Sequence, residues 1–282
     1  MTTIAARLAP WLPARLTAAT ARALYPRFEP ELARLSDMVP GGSGCATAVD
    51  VGGWYGPWTH RLAARARRVV TLEPVPHLAR TLAATAPANV RVVRAAASDR
   101  PGTAPLWQPP HDTRGDRGVS SLVRRDGLHA TTGQSVDCVT LDELALDEVE
   151  FVKIDVDGAE LAVLRGAEAL LARDRPALFI ELETRIQPIT PVVRHLRARG
   201  YEGWVLPGAD WLPLPSFDLA AHQRGTAHIA SQGLLRRALT PAARRPRYVN
   251  SVLFLPDGRT PGSVRDHERH GTRATHPAHR SR

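Results

Sequence analysis

The sequence predicts an α/β protein built on a doubly wound, mostly parallel sheet, and three observations carry that prediction. Short, nearly continuous apolar runs at 46–51, 68–73, 90–96, 150–156 and 177–182 read as strands buried on both faces. Helical segments at 76–86 and 158–172 lie between them, so successive strands are joined by crossovers that must cover the sheet. The joint Gly41-Gly42-Ser43-Gly44 stands directly before the first strand and marks the start of the core.

Taken in order, residues 1–28 hold four arginines and no acid, and Pro10, Pro13 and Pro26 interrupt their apolar positions, so no secretory apolar segment forms. An acid-free, Arg-bearing start has the composition of a transit peptide. The plainer reading, taken here, is a pair of short helices packed on the core or covering its mouth, and residues 1–44 are read as an N-terminal helical extension or cap. The main domain spans 45–257. Within it, 101–133 is an irregular stretch rich in glycine and proline that carries His111, Ser120, Ser121 and His129. Two later strands are expected at 201–206 and 249–255, separated by a polar, Arg-rich insertion. Residues 258–282 read as a disordered basic tail.

Composition bounds the function. A chain of 282 residues with 43% apolar content can bury a sizeable core, and it has no apolar run of 18 residues, which excludes an ordinary membrane-spanning helix. Cys45 and Cys138 are too few to staple the fold and lack zinc-ligand spacing, so no metal is expected and a reducing, cytoplasmic setting fits. The net charge of +9 is uneven: residues 1–221 carry 25 basic and 25 acidic side chains, whereas 222–282 carry 12 and 3. The basic flank has few aromatics among its arginines, so no specific nucleic-acid partner is expected. Lys153 is the only lysine. No feature of the sequence sets an oligomeric state.

Four segments carry chemistry. In the first, 49–57, a strand runs into a turn containing Gly52, Gly53 and Gly56, with Pro57 suited to the first turn of the next helix. The dinucleotide spacing of glycines at i, i+2 and i+5 fails in both frames, because Trp54 and Pro57, or Tyr55 and Trp58, stand where glycine is needed. In the second, Glu73 ends a strand 21 residues beyond Gly52, where an acid can accept both hydroxyls of a ribose; a surface acid at a strand end is the plain alternative. In the third, 150–160, alternation puts Phe151, Lys153 and Asp155 on one face of a buried strand. Buried charge must be paired or must face a site, and both readings stand for Lys153, while Asp155 lies at the carboxyl end where ligands bind. Asp157 and Glu160 have capping-box spacing, as do Thr140 and Glu143. In the fourth, Glu181 and Glu183 share a face at another carboxyl end and could contact substrate or serve as base, or stand as rim acids.

The ordered set VDVGGWYGPWT, VVTLEPVP, VRVVRAAASDRPG, VDCVTLDEL and FVKIDVDGAELAVLRGAEALLARDRPALFIELE resembles the FkbM family of S-adenosylmethionine-dependent methyltransferases over residues 46–183, with a weaker echo in NSVLFLP. The Lys-Ile-Asp-Val-acid-Gly-Ala-Glu run is its specific part. The chain departs from the family's usual pattern in having Gly53-Trp54 for Ala-Asn and Asp157 for Glu. The resemblance implies a seven-stranded, Rossmann-like class I methyltransferase fold whose last strand is antiparallel. It implies S-adenosylmethionine as cofactor, with Asp50, Gly52, Gly53 and Gly56 lining the methionine end and Glu73 holding the ribose. It places Ala97, Ser98 and Asp99 beside adenine, and Asp155 beneath the methionine moiety.

Further, it implies O-methylation of a small-molecule or glycan hydroxyl on a sugar or other natural product. Asp155 and Glu181 are the candidate catalytic acids, with His111, His129, His222 and His228 as loop alternatives. Three rival readings are a catalytically silent scaffold of the same fold, a nicotinamide-dependent oxidoreductase, and a nucleic-acid-binding module acting through the basic flank. The second needs the glycine spacing that fails here, and the third lacks the aromatics noted above.

Overall fold

The computed structural model describes residues 14–27, 29–39, 45–107, 120–124, 133–230 and 247–262. Its centre is an eight-stranded sheet. The strands are β1 (Cys45–Val51), β2 (Ala66–Leu72), β3 (Val90–Val93), β7 (Val149–Ile154), β8 (Ala177–Glu181), β9 (Tyr201–Val205), β10 (Leu212–Pro213) and β11 (Ser251–Pro256), and their spatial order is β10-β9-β11-β8-β7-β1-β2-β3. Strands β3, β2, β1, β7 and β8 are parallel neighbours, and β11 runs antiparallel to both β8 and β9. The expected seven strands with an antiparallel last one are all present, and the two-residue β10 adds an eighth at the edge.

Each central strand is apolar on both sides because each side is covered. Val152 and Ile154 of β7 join Leu178 and Ile180 in the larger core. That core receives α4 (Glu160–Arg165), α5 (Glu168–Asp174) and α6 (Thr190–Arg197) through Val163, Leu170 and Leu196, and α7 (Leu219–Ala230) through Leu219. Phe151, Phe179 and Leu253 point the other way, against Trp58 and Leu62 of α2 (Pro57–Ala63) and Leu32 and Leu35 of a 3₁₀ segment, Pro30–Asp37. Burying a Leu- or Phe-sized side chain contributes roughly 1.5–3 kcal/mol, so these two layers are the main stabilising feature of the fold.

Three sequence expectations change. The strand expected over 90–96 divides: β3 stays in the main sheet, while β4 (Ala96–Ala97) pairs with β6 (Gly133–Val139) in a second sheet of order β4-β6-β5. Strand β5 (Gly102–Trp107) is antiparallel to β6, so the stretch read as irregular over 101–133 begins and ends in a ribbon. Pro105 is tolerated because β5 is an edge strand.

The single helix expected over 158–172 is two helices, broken at Gly166, where a Cβ would sit on the Ser98 carbonyl oxygen. Asp142 caps the second piece, its carboxylate accepting from the amides of Ala169 and Leu170 at 3.0 and 2.9 Å. The Thr140–Glu143 box forms reciprocally, with 3.0 and 3.1 Å bonds. In the Asp157–Glu160 pair, Glu160 accepts from Gly158 N–H at 2.9 Å, and Ala159 stands at the N-cap position of α4.

Helix α1 (Ala14–Leu24) lies against α2 and α3 (Pro76–Thr85). At the other end, Gly262 N–H donates to Asp37 O at 3.0 Å, so residues just beyond 258 fold back on the N-terminal segment. Among the described residues no helix is long and apolar enough to cross a membrane. His111, His129 and most of the expected basic tail lie outside the described residues.

Candidate active site

A cavity of about 290 Å³ opens over the carboxyl ends of β1, β2, β7 and β8, where an open α/β sheet presents loops rather than ladder. Its floor is the turn after β1. Both Gly52 and Gly53 donate their amides to Leu72 O, at 3.0 and 3.1 Å, so the turn hangs from the end of β2. Gly52 has φ 83, a left-handed value, and a side chain there would run into the Asp155 carbonyl. Trp54 follows with φ 48 and donates its amide to Glu73 Oε2 at 2.8 Å. The other Glu73 oxygen accepts from Val75 N–H at 2.8 Å, so this carboxylate, 5% exposed, is fixed in the cavity wall.

Beneath the floor, Lys153 of β7 stands opposite Asp50 of β1 in the ladder. Its Nζ donates to Gly52 O at 3.0 Å and to Asp155 Oδ2 at 3.3 Å, and lies 3.6 Å from Asp50 Oδ1. Burial opposes its charge, but Asp155 and Asp50, with Glu29 and Glu181 beyond them, outweigh burial and hold its pKa above the ordinary lysine value. Asp50 accepts from Thr59 Oγ1 at 2.6 Å; its burial raises its pKa against the pull of Lys153.

The far wall is acidic. Glu181 Oε1 accepts from Asn250 Nδ2 at 2.5 Å, and burial, then Asp155, Glu183 and Asp157, push its pKa well above the carboxylate range. Glu183 is paired with Arg185. Tyr248 lines the same wall, its phenol pushed up to about 12 by burial and Glu183. From the N-terminal segment come Tyr25, whose ring lies 5.7 Å from Trp54, and Glu29, which accepts from Trp58 Nε1 at 2.5 Å. Leu106, Ser120 and Leu122 close the side formed by the second sheet, and Ser121 Oγ donates to Asp157 O at 2.7 Å.

Of the residues singled out from sequence, Gly52, Gly53, Glu73, Ala97, Asp155 and Glu181 meet around this cavity. Asp50, Gly56, Ser98 and Asp99, expected at the cofactor, do not line it. Asp50 is fully buried behind the wall, accepting from Thr59 in the core and facing Lys153, which itself reaches the cavity. Gly56 instead ends the turn, adopting φ 83 at the N-cap of α2. Ser98 packs its carbonyl against Gly166, and Asp99 is exposed. His222 bonds the Arg247 carbonyl and, with His228, is not in the lining. Sequence reading missed Tyr25, Glu29, Trp58, Arg185, Tyr248 and Asn250. The expectation that the N-terminal helices cover a mouth was the available signal for the first two. Among the described residues no cluster of His, Cys, Asp and Glu has metal-holding geometry.

Among solved structures, the chain is similar to a methyltransferase FkbM from Methylobacillus flagellatus, at 15% identity and a TM-score of 0.47, over 75% of this chain and 43% of that one. It thus spans less than half the length of that protein. It is also similar to precorrin-6y C5,15-methyltransferase from Geobacter metallireducens, at 12% identity and a TM-score of 0.42, over 80% and 85% of the two chains. No curated protein sequence matches. The family model described as methyltransferase FkbM domain matches residues 47–202, more than half of the sequence, and the chain therefore belongs to the FkbM methyltransferase family.

Proposed function

We propose that the protein is an S-adenosylmethionine-dependent methyltransferase that O-methylates a hydroxyl of a sugar or other natural product. The observation that carries this reading is the pairing, in one cavity, of a side-chain-free turn at Gly52-Gly53 with the immobilised carboxylate of Glu73. The residues fit the cofactor. Glu73 lines the cavity with its carboxylate held by the Trp54 and Val75 amides, at the strand end where an acid accepts ribose hydroxyls. Trp54 Nε1–H is buried and, among the described residues, meets no acceptor, so a donor is left for a ligand atom. The acidic wall suits a cation.

When bound, the cofactor supplies a methyl group activated by its sulfonium charge. The chain's own residues then orient the acceptor and exclude water. Gly52 and Gly53 let the backbone approach the ligand, Glu73 fixes the sugar, and Ala97 borders the base. Asp155, tied to Lys153, underlies the reacting end. Glu181 lines the same cavity and, in its ionised form, can take the acceptor proton, for which burial and neighbouring carboxylates raise its affinity.

Calorimetric titration tests the cofactor. S-adenosylmethionine should bind while a nicotinamide dinucleotide does not. Glu73→Gln, which replaces one acceptor oxygen by a donor of the same shape, should weaken binding by at least tenfold, about 1.4 kcal/mol. Binding of the nicotinamide, or unchanged affinity in the variant, would overturn the assignment.

A further inference from the structure

Resting on the cofactor reading above, we infer that Glu29 is the group by which the cavity tells a sulfonium cation from a neutral thioether, releasing a proton when the cation binds and regaining one when that charge is lost. Glu29 lies outside the parallel sheet and reaches the cavity from the N-terminal segment. Its placement is rigid. Its amide donates to Tyr25 O at 3.2 Å, and its carbonyl accepts from Leu32 N–H at 3.1 Å. Its Oε2 accepts from the indole of Trp58, a core residue whose ring lies 4.8 Å from Phe179 and 6.2 Å from Phe151. One carboxylate oxygen is thus anchored in the core of the sheet, and the side chain forms part of the wall that also holds Asp155 and Glu181.

The surroundings make its charge conditional. Glu31 beside it and Asp155 disfavour a further negative charge, whereas Lys153 and the Trp58 donor favour it. Arg247 is committed to Glu31 by a 2.5 Å ion pair. Burial is the largest influence, and together these push the Glu29 carboxyl up to about 8. At neutral pH it is therefore mostly protonated in the free protein. A cation entering the cavity favours the carboxylate and displaces the proton to solvent; a neutral ligand of the same shape does not. The thioether product, having lost the sulfonium charge, would leave a carboxylate that draws a proton back.

The test needs no methyl acceptor. S-adenosylmethionine and S-adenosylhomocysteine are titrated calorimetrically in buffers of different ionisation enthalpy near pH 7, with wild type and Glu29→Gln. Wild type should release more protons with the first ligand than with the second, and the variant should lose at least half of that difference. The ratio of the two affinities should favour the sulfonium by on the order of tenfold more at pH 9 than at pH 6.5 in wild type, and by much less in the variant. In wild type alone, the release should fade above pH 9, a result independent of whether the variant folds. Equal proton release in both proteins, or a release that persists unchanged above pH 9, would overturn the role of Glu29 while leaving the cofactor reading intact. Failure of wild type to bind either ligand would overturn both.

Discussion

Lys153 is 4% exposed, and the carboxylates it meets come from β1 and from the end of its own strand, so its charge is compensated across a single ladder. Removing it would strand Asp50 and Asp155. Lys153→Met should therefore destabilise the protein by about 3–5 kcal/mol, the cost of an uncompensated buried charge, and urea denaturation at neutral pH would show it. A loss below about 1 kcal/mol would mean that Asp50 is already protonated in the native state and needs no partner. The sequence showed that this residue must be paired or face a site. Both hold, since its ammonium also ties down the Gly52 carbonyl of the cavity floor. Glu73 and Asp155 were readable because strand ends are where α/β ligands sit. Glu29 was not readable as a single residue: it follows no periodic pattern, an N-terminal segment covering the mouth did not single it out, and its bonds to Tyr25 O and Trp58 bring it to the cavity.

At the scale of elements, the parallel strands were legible because burial on both faces leaves continuous apolar runs. The second sheet was not, since β5 carries Pro105 and its partner β6 begins 26 residues after β5 ends at Trp107, with no tight-turn signal between. The break between α4 and α5 was also hidden. A glycine within a helical pattern is ordinarily tolerated, and only the Ser98 carbonyl against Gly166 explains why this one ends the helix. Gly166 O also accepts from Asp142 N–H at 3.0 Å, so the break joins α4, α5 and the loop that follows β6. Gly166→Ala must move backbone rather than a side-chain tip, and should cost about 1–3 kcal/mol in chemical denaturation. Gly208→Ala, where nothing stands near the added methyl, is the control and should stay within about 0.5 kcal/mol.

For the whole molecule, the acidic cavity fixes the sign of the pH dependence of stability. Glu29 and Glu181 have pKa values raised by burial, so the folded protein holds protons that the unfolded chain has already released. Where the native state binds more protons, unfolding free energy falls as pH rises. His60 and His195 act in the opposite sense. Burial lowers their pKa values, so they add stability as pH rises through 6.5, the ordinary histidine value, and nothing further above it. Lys153, whose pKa is raised, contributes fully throughout this range and is lost only at strongly alkaline pH. The carboxyl slope therefore stands alone between about pH 6.5 and 8, closing where Glu29 ionises. Melting temperature should decline across that window. Glu29→Gln carries no ionisable group at this position and should flatten the decline, melting a few degrees above wild type at pH 8, the scale of about 1 kcal/mol in a domain of this size. A wild-type melting temperature that rises from pH 6.5 to 8, or a variant that declines as steeply as wild type, would show that the cavity carboxyls are ionised in the native state and that their mutual repulsion is relieved by other means.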